Sequence, residues 1–372
     1  MTKTDADEIF MAAALAFGRR NLGRAAPNPA VGALLVKDGV VIGRGFTGQG
    51  GRPHAETQAL ADAGEAARGA TLYVTLEPCS HHGETPPCSA AIVAAGVARV
   101  VVAMEDPDPR VRGRGIALLG DAGIEVVASV LEAEARRAHL GHKLRVTQSR
   151  PMITLKLAQT KDGFAAGAPH DQRLRVTGPL ADAHTHMERA LHDAIMVGAG
   201  TAREDDPLLT VRLPGLEEEK RLRVVLDSNL QLSTRSRCAS LARQFPTLVI
   251  SARSVAESAV ASFKAATGAE VARVGTEMLG RIALPEALAE LARRGITRVY
   301  CEGGPRLAES IVTGGFADEV ILHTGPKPFG GAGRLALRPA ARIVLEDPRL
   351  YRLVEKVDLG PDKMTRYERI AS

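Results

Sequence analysis

The sequence predicts an α/β protein built from two domains, and three observations carry that prediction. At 372 residues the chain is long for one hydrophobic core and suits two. Short apolar runs alternate with segments of helical spacing, and this alternation occurs twice along the chain. A polar stretch, V-T-Q-S-R-P at 146–151, separates the two patterns. Domains are therefore expected over 1–146 and 147–372.

In the first domain, residues 5–22 carry apolar positions at helical spacing, among them Ile9, Ala13, Ala16 and Phe17. Two apolar runs flank Asp38-Gly39, a hairpin signal. A helix from about His54 follows. After it come strand Ala70–Leu76, a helix starting near Cys88, strand Val97–Met104, a helix around 111–121 and strand Ile124–Val130. The strands between helices should be largely parallel. A charged helix from Leu131 to about Lys143 closes the domain. The second pattern runs through strand Met152–Leu157, a helix over about 180–192, and strands at Ala194–Val197, Arg223–Asp227 and Thr247–Ile250. It continues with a helix over about 284–294, strand Arg298–Cys301, a helix from Pro305 and a strand-rich C-terminus. No repeat relates the halves.

Composition narrows the function classes. Apolar residues make up 45% and charged residues 24%, as in globular proteins. The net charge of +5 comes without a like-charged block, and there is no Trp. Such a chain lacks the basic, aromatic groove that a nucleic-acid binder needs, so the expected partner is a small molecule. The E-E-E-K-R run at 217–221 reads as a solvated loop. No apolar stretch approaches the ~18–20 residues that span a bilayer, and M-T-K-T-D-A-D-E-I-F carries no signal pattern; the expected localisation is cytoplasmic. Four cysteines are too few for a disulfide scaffold of this length, and a reducing compartment leaves thiols free for metal.

His54-Ala-Glu56 opens a predicted helix, Pro78-Cys79 follows a predicted strand, and Cys88 opens the next helix. One imidazole and two thiolates supply three ligands to Zn²⁺ and leave the fourth tetrahedral position to water. Zinc lowers the pKa of that water from 15.7 towards ~7. Glu56, not itself a ligand, is placed to take the water's proton and pass it to a leaving amine. The order H-x-E…P-C…C resembles that of zinc-dependent nucleobase deaminases, the cytidine-deaminase-like fold. Cys238 and Cys301 stand alone and read as buried thiols.

The nine-position separation of Cys79 and Cys88 departs from the three-residue spacing of the generic signature. T-L-E-P-C-S-H-H-G-x-T-P-P-C instead closely resembles the bifunctional riboflavin-biosynthesis deaminase/reductases, the RibD family. N-P-x-V-G at 28–32 and G-G-R-P-H-A-E at 50–56 match the same family. The second half matches too, at 152–163, 193–212, V-V-L-D-S (224–228) and C-E-G-G-P (301–305). The resemblance implies a cytidine-deaminase-like α/β/α domain followed by a dihydrofolate-reductase-like α/β domain. It further implies a pyrimidine ribotide substrate, deaminated first and then reduced by NADPH from the ribosyl to the ribityl form, and a homodimer through the reductase domain.

The resemblance also distributes roles. Asn28, His81 and His82 would contact the first substrate, although Asn28 before Pro29 also reads as a turn residue. Thr47 stands where many family members have His, and Glu84 where a basic residue often meets phosphate; Arg52 is an alternative. Ala158, Thr201, Asp205, Ser228 and the segment from Gly304 through Pro305 and Arg306 to Ser310 would hold NADPH. Pro305 at a helix start after Gly303-Gly304 suits an anion at a helix N-terminus. Arg189, Leu209, Arg212 and Glu302 would hold the second substrate; on their own the two arginines also read as surface or ion-paired residues. Lys156 and Asp162 are candidate polar contacts near hydride transfer. Arg173 and Arg175 replace the family's Ser and Trp. His184, His186 and His192 invite a metal, but positions two apart on a helix face different sides, so they read as surface or packing residues.

Three other readings stand beside the two-site enzyme: a polynucleotide deaminase with a C-terminal binding module, a zinc-stabilised scaffold without activity, and a chain with only one active half.

Overall fold

The computed structural model describes residues 2–80, 86–167 and 174–370. It divides into two compact units, one of 1–150 with 292–297 and one of 151–291 with 298–372.

The first unit is a five-stranded sheet in the order β2-β1-β3-β4-β5, formed by β1 (Gly32–Lys37), β2 (Val40–Phe46), β3 (Thr71–Val74), β4 (Arg99–Val102) and β5 (Glu125–Val127). The hairpin β1–β2 is antiparallel, as is β1–β3, and β3, β4 and β5 run parallel. Five consecutive residues of β1 and all four of β4 are buried, so helices cover both faces of the sheet. These are α1 (Lys3–Gly18), α2 (Ala55–Ala63), α3 (Cys88–Ala94), α4 (Arg114–Asp121), α5 (Glu132–Ala138) and α6 (Leu140–Gln148).

Helix α1 starts on a reciprocal cap between Thr2 and Asp5. Its inward stripe is Met11, Ala14, Leu15 and Gly18 with Asp7, not the stripe of Ile9, Ala13, Ala16 and Phe17 that the sequence suggested; Ile9 is exposed. The helix is apolar on several sides, so periodicity admits either face. Asp7 decides between them, because its carboxylate takes two hydrogen bonds from Arg99 at 2.7 Å and one from the Tyr73 hydroxyl. The polar stretch at 146–151 also differs from expectation. It begins as the last turn of α6, where the Thr147 hydroxyl donates to Lys143 O, and the helix stops at left-handed Ser149 before Pro151.

The second unit is a nine-stranded sheet in the order β11-β10-β9-β8-β12-β6-β13-β16-β15. Its strands are β6 (Met152–Gln159), β8 (Ala194–Gly198), β9 (Leu222–Leu226), β10 (Thr247–Ala252), β11 (Glu270–Val274), β12 (Arg298–Cys301), β13 (Glu319–Thr324), β15 (Tyr351–Leu359) and β16 (Asp362–Arg369). Everything from β11 to β13 is parallel, and the β13–β16–β15 edge is antiparallel. Strands β7 (Phe164–Ala166) and β14 (Arg334–Leu335) pair separately. The helices are α7 (Pro179–Ala190), α8 (Ala199–Asp205), α9 (Arg237–Ser240), α10 (Glu257–Thr267), α11 (Leu284–Arg293), α12 (Pro305–Thr313) and α13 (Pro339–Glu346).

Helices α8 and α10 were not expected. The first opens on G-A-G and buries only Ala202, and the second is rich in Ala and Ser with few large apolar residues, so neither leaves a strong periodic trace. At the end of the E-E-E-K-R loop, Arg221 turns inward, donating to Ala190 O at 2.7 Å and pairing with Glu219. Arg223 is fully buried: its guanidinium reaches the carbonyls of Leu208, Arg237, Cys238 and Phe245 and the Thr247 hydroxyl.

Candidate functional site

In the first unit, α2 begins immediately after His54, which is its N-cap, and α3 begins at Cys88 after Pro87. The two helix starts face the turn after β3 that carries Cys79. His54 Nδ1 lies 3.3 Å from Cys88 Sγ and 3.7 Å from Cys79 Sγ, and the Cys88 N–H donates to Cys79 Sγ at 3.3 Å. All three donor atoms fall within 4.8 Å of one another. Tetrahedral zinc with its usual bond lengths would hold a nitrogen and a sulfur about 3.5 Å apart, so the donor set and its spacing fit zinc. Contact between the two thiols, with His54 contributing, pulls Cys79 down to about 4 and pushes Cys88 up, so Cys79 is the one set as the thiolate.

Glu56 sits in the first turn of α2 and is 4% exposed. Burial pushes its carboxyl up to about 7, in the range of a group that takes up and releases protons. Asn28 donates to Gly51 O at 2.9 Å, and its amide nitrogen is 3.4 Å from His54 Nε2. Gly51 permits this: it has φ of +91°, and a Cβ there would meet the Asn28 side chain at 2.8 Å. Asn28 thus stands beside His54. Thr47 is buried, its hydroxyl accepting from Val31 N and its carbonyl from Asn21. His81, His82 and Glu84 lie outside the described residues.

One residue of the T-L-E-P-C run had no role in the sequence reading. The Glu77 carboxylate accepts from four main-chain N–H groups, those of Asp106, Gly113, Gly115 and Ile116. The available signal was an acidic residue ending an apolar strand.

In the second unit, Ala158, Thr201, Ser228 and Gly304 lie at or just beyond the C-terminal ends of β6, β8, β9 and β12. These strands are neighbours in the sheet, β9-β8-β12-β6, and the C-terminal edge of a parallel sheet is where α/β proteins bind ligands. Thr201 and Gly304 meet directly, Gly304 N–H donating to the Thr201 hydroxyl at 3.0 Å. Gly304 caps α12 and Pro305 is its first residue; Arg306 in that turn is exposed, and Asp205 ends α8.

The residues expected at the second substrate divide. Arg189 and Glu302 form one buried ion pair, and Arg189 Nη1 also donates to Thr210 O at 2.8 Å. Burial works against the Glu302 charge, yet Arg189 holds its carboxyl below the usual range. Arg212 reaches the Thr210 hydroxyl, and its N–H donates to His186 Nδ1; burial, with Arg189 and Arg212 nearby, pushes His186 down to about 4. The Leu209 side chain packs in the core, on a residue with φ of +52°. Burial lowers the Lys156 ammonium, with Glu302 partly offsetting it. Asp162 is exposed and staples a loop, accepting from the Thr160 hydroxyl and from the N–H groups of Phe329 and Gly330. Arg175 pairs with Asp182 at 3.4 Å, and Arg173 lies outside the described residues. The three histidines disperse: His184 contacts His323 and Glu188, His186 serves Arg212, and His192 is buried against Thr154 and Glu188 O.

Comparison with known proteins gives these two sites their class. The family described as "Cytidine and deoxycytidylate deaminase zinc-binding region" matches residues 4–104, and the "RibD C-terminal domain" matches 151–357. The chain is thus a two-domain enzyme that couples a zinc-binding deaminase to a reductase. "Riboflavin biosynthesis protein RibD" of Escherichia coli is 37% identical over 370 residues, covering 96% of this chain and 97% of that protein. The protein of the same name from Aquifex aeolicus is 37% identical over 366 residues, covering 98% of each. Acinetobacter baumannii RibD superposes with a TM-score of 0.86 at 31% identity, covering 99% of this chain and 100% of that one. The Thermotoga maritima structure, titled a diaminohydroxyphosphoribosylaminopyrimidine deaminase/5-amino-6-(5-phosphoribosylamino)uracil reductase, gives 0.83 at 31% identity with the same coverage. The chain belongs to the RibD family, whose members are bifunctional deaminase/reductases of riboflavin biosynthesis. Among the described residues no helix is long and apolar enough to cross a membrane.

Proposed function

We propose that this chain deaminates 2,5-diamino-6-ribosylamino-4(3H)-pyrimidinone 5′-phosphate at the 2-amino group and then reduces the product, using NADPH, to 5-amino-6-(5-phosphoribitylamino)uracil. The deaminase is assigned to domain 1–146 and the reductase to 147–372, in a cytoplasmic homodimer joined through the reductase domain. The observation that carries the reading is the buried Glu56 carboxyl beside the His54, Cys79 and Cys88 donor set.

His54, Cys79 and Cys88 would hold the metal, and bound zinc supplies the Lewis acidity that makes water nucleophilic at neutral pH. Glu56 takes the proton of the attacking water and hands it to the leaving amine, so that water and the amino group become a carbonyl and ammonia. Asn28 orients the ring, with His81 and His82 as further contacts. In the reductase, bound NADPH would supply the hydride that reduces the sugar carbon bearing the amine, and the ring oxygen would gain a proton as the sugar opens. Ala158, Thr201, Asp205, Ser228, Gly304, Pro305 and Arg306 hold the nucleotide along the strand ends. Leu209, Arg212 and the Arg189–Glu302 pair border the substrate, and Lys156, with its lowered ammonium pKa, is the candidate donor of that proton.

The test supplies the diamino ribotide to the full chain with and without NADPH, and follows ammonia and the reduced cofactor's absorbance separately. Ammonia release without NADPH, followed by one NADPH oxidised per ammonia once it is added, supports the reading. Cofactor oxidation with no prior ammonia release contradicts the order, and deamination of single-stranded polynucleotide in place of the ribotide contradicts the substrate.

A further inference from the structure

Glu77 precedes Cys79 by two residues and is 3% exposed. Its four partners are all main-chain N–H groups. Oε2 accepts from Asp106 at 3.1 Å and Gly113 at 2.9 Å; Oε1 accepts from Gly115 at 2.8 Å and Ile116 at 3.3 Å. Gly115 and Ile116 belong to the first turn of α4, whose N–H groups have no partner within the helix. The N-cap of α4 is Gly113, which has no side chain to serve them. Glu77, arriving from another segment, performs the capping, and its negative charge suits the positive end of the helix.

This cap does more than finish a helix. It draws the turn after β3 against α4 so closely that a Cβ on Gly115 would lie 2.0 Å from Pro78 O. The next residue, Cys79, is held from the other side by α3: its carbonyl accepts from Ser89 N at 3.2 Å and its sulfur from Cys88 N at 3.3 Å. The ligand turn is therefore clamped between two helix starts. With the imidazole nitrogen 3.3 and 3.7 Å from the two sulfurs and all three donor atoms within 4.8 Å of one another, the set tolerates little displacement of any one of them, and groups that orient ligands act strongly on metal affinity.

We infer that Glu77 is a positioning residue of the metal centre: by capping α4 it fixes the Pro78–Cys79 turn, and so sets the place of the Cys79 sulfur relative to His54, Cys88 and Glu56. Glu77 neither ligates the metal nor touches substrate. The inference rests on His54, Cys79 and Cys88 being the ligands.

The test uses the full-length chain with Glu77→Gln, which keeps the size of the side chain and removes its charge, and Gly115→Ala, which keeps the Glu77 side chain but pushes on Pro78 O at 2.0 Å and, more gently, on Glu77 Oε1 at 3.2 Å. Five readouts are taken: the rate of zinc transfer to a chelator, the absorption spectrum of the cobalt-substituted protein, deaminase kcat and KM, melting temperature as the check on folding of the first unit, and NADPH oxidation as the control for the second. In both variants zinc should leave about 10–100-fold faster and the cobalt bands should shift, with NADPH oxidation as in wild type. Deaminase kcat should fall with KM nearly unchanged. Lowered melting temperature with wild-type cobalt bands and zinc release in both variants would overturn the inference, because a merely structural cap predicts that pattern. Should Glu77→Gln not accumulate as folded protein, Gly115→Ala decides alone on the same readouts. Cys79→Ser in parallel isolates the underlying ligand assignment: wild-type cobalt–thiolate bands in that variant would show the ligand set itself to be wrong.

Discussion

Arg189 and Glu302 meet through two parallel hydrogen bonds, Nε to Oε1 at 2.6 Å and Nη2 to Oε2 at 3.0 Å, with both side chains almost sealed from solvent. Family resemblance names them as separate substrate contacts, but they are one unit. The guanidinium edge that would grip a phosphate is already engaged, and Arg189 is better described as the support that holds Glu302 in place.

Glu302→Ala leaves the Arg189 charge buried without its partner. Removing one member of such a pair costs about 3–5 kcal/mol. The variant should lose NADPH oxidation and lower the melting temperature of the second unit, while ammonia release persists. Calorimetry together with the two separate assays checks this.

Arg223 makes a similar prediction by a different route. Its guanidinium is surrounded by carbonyls that Ala would leave unsatisfied. Several buried acceptors at about 1–3 kcal/mol each make Arg223→Ala severely destabilising in the second unit, and Arg223→Lys only partly restores it. Denaturant unfolding of the full chain should show the second unit's transition at lower concentration.

The Asp7 carboxyl is held below its ordinary value of 3.8, chiefly by its hydrogen bonds from Arg99. A depressed carboxyl stabilises the fold above its unfolded pKa and loses that contribution as pH falls through the folded value. Melting temperature of the first unit should therefore drop below about pH 4, and drop less steeply in Asp7→Asn, which is already destabilised at neutral pH. Equal acid slopes in the two proteins would refute the assignment.

Much of the candidate metal centre was legible because its parts are local: His54 with Glu56 at one helix start, Pro78-Cys79 at a strand end, Cys88 at the next helix start. What escaped is what tertiary packing decides. The buried face of α1 is chosen by Asp7 meeting Arg99, 92 positions away. The Arg189–Glu302 pair spans 113 positions, and periodicity within either segment carries no trace of it. Glu77 was visible as a residue of the motif, but its partners come from the start of α4, so its work could be seen only in three dimensions. Helix α8 escaped for a local reason, since a glycine-rich start predicts a turn as readily as a helix.

Metal loss should separate the two activities. His54→Ala or Cys88→Ala should reduce zinc from about one ion per chain to near none, and abolish ammonia release. The reductase, whose proposed residues all lie in the second unit, should continue to oxidise NADPH on deaminated substrate. Metal analysis beside both assays provides the check.

The most direct test of a two-site enzyme is Glu56→Gln in the zinc-loaded full chain, assayed on the diamino ribotide for ammonia and on the deaminated ribotide for NADPH oxidation. Ammonia release should fall by about 10²–10⁴-fold, the usual contribution of a general acid–base group, with full zinc content and an unchanged reductase rate. Ammonia release near the wild-type rate, or loss of both activities in a folded, zinc-loaded protein, would contradict the two-site reading.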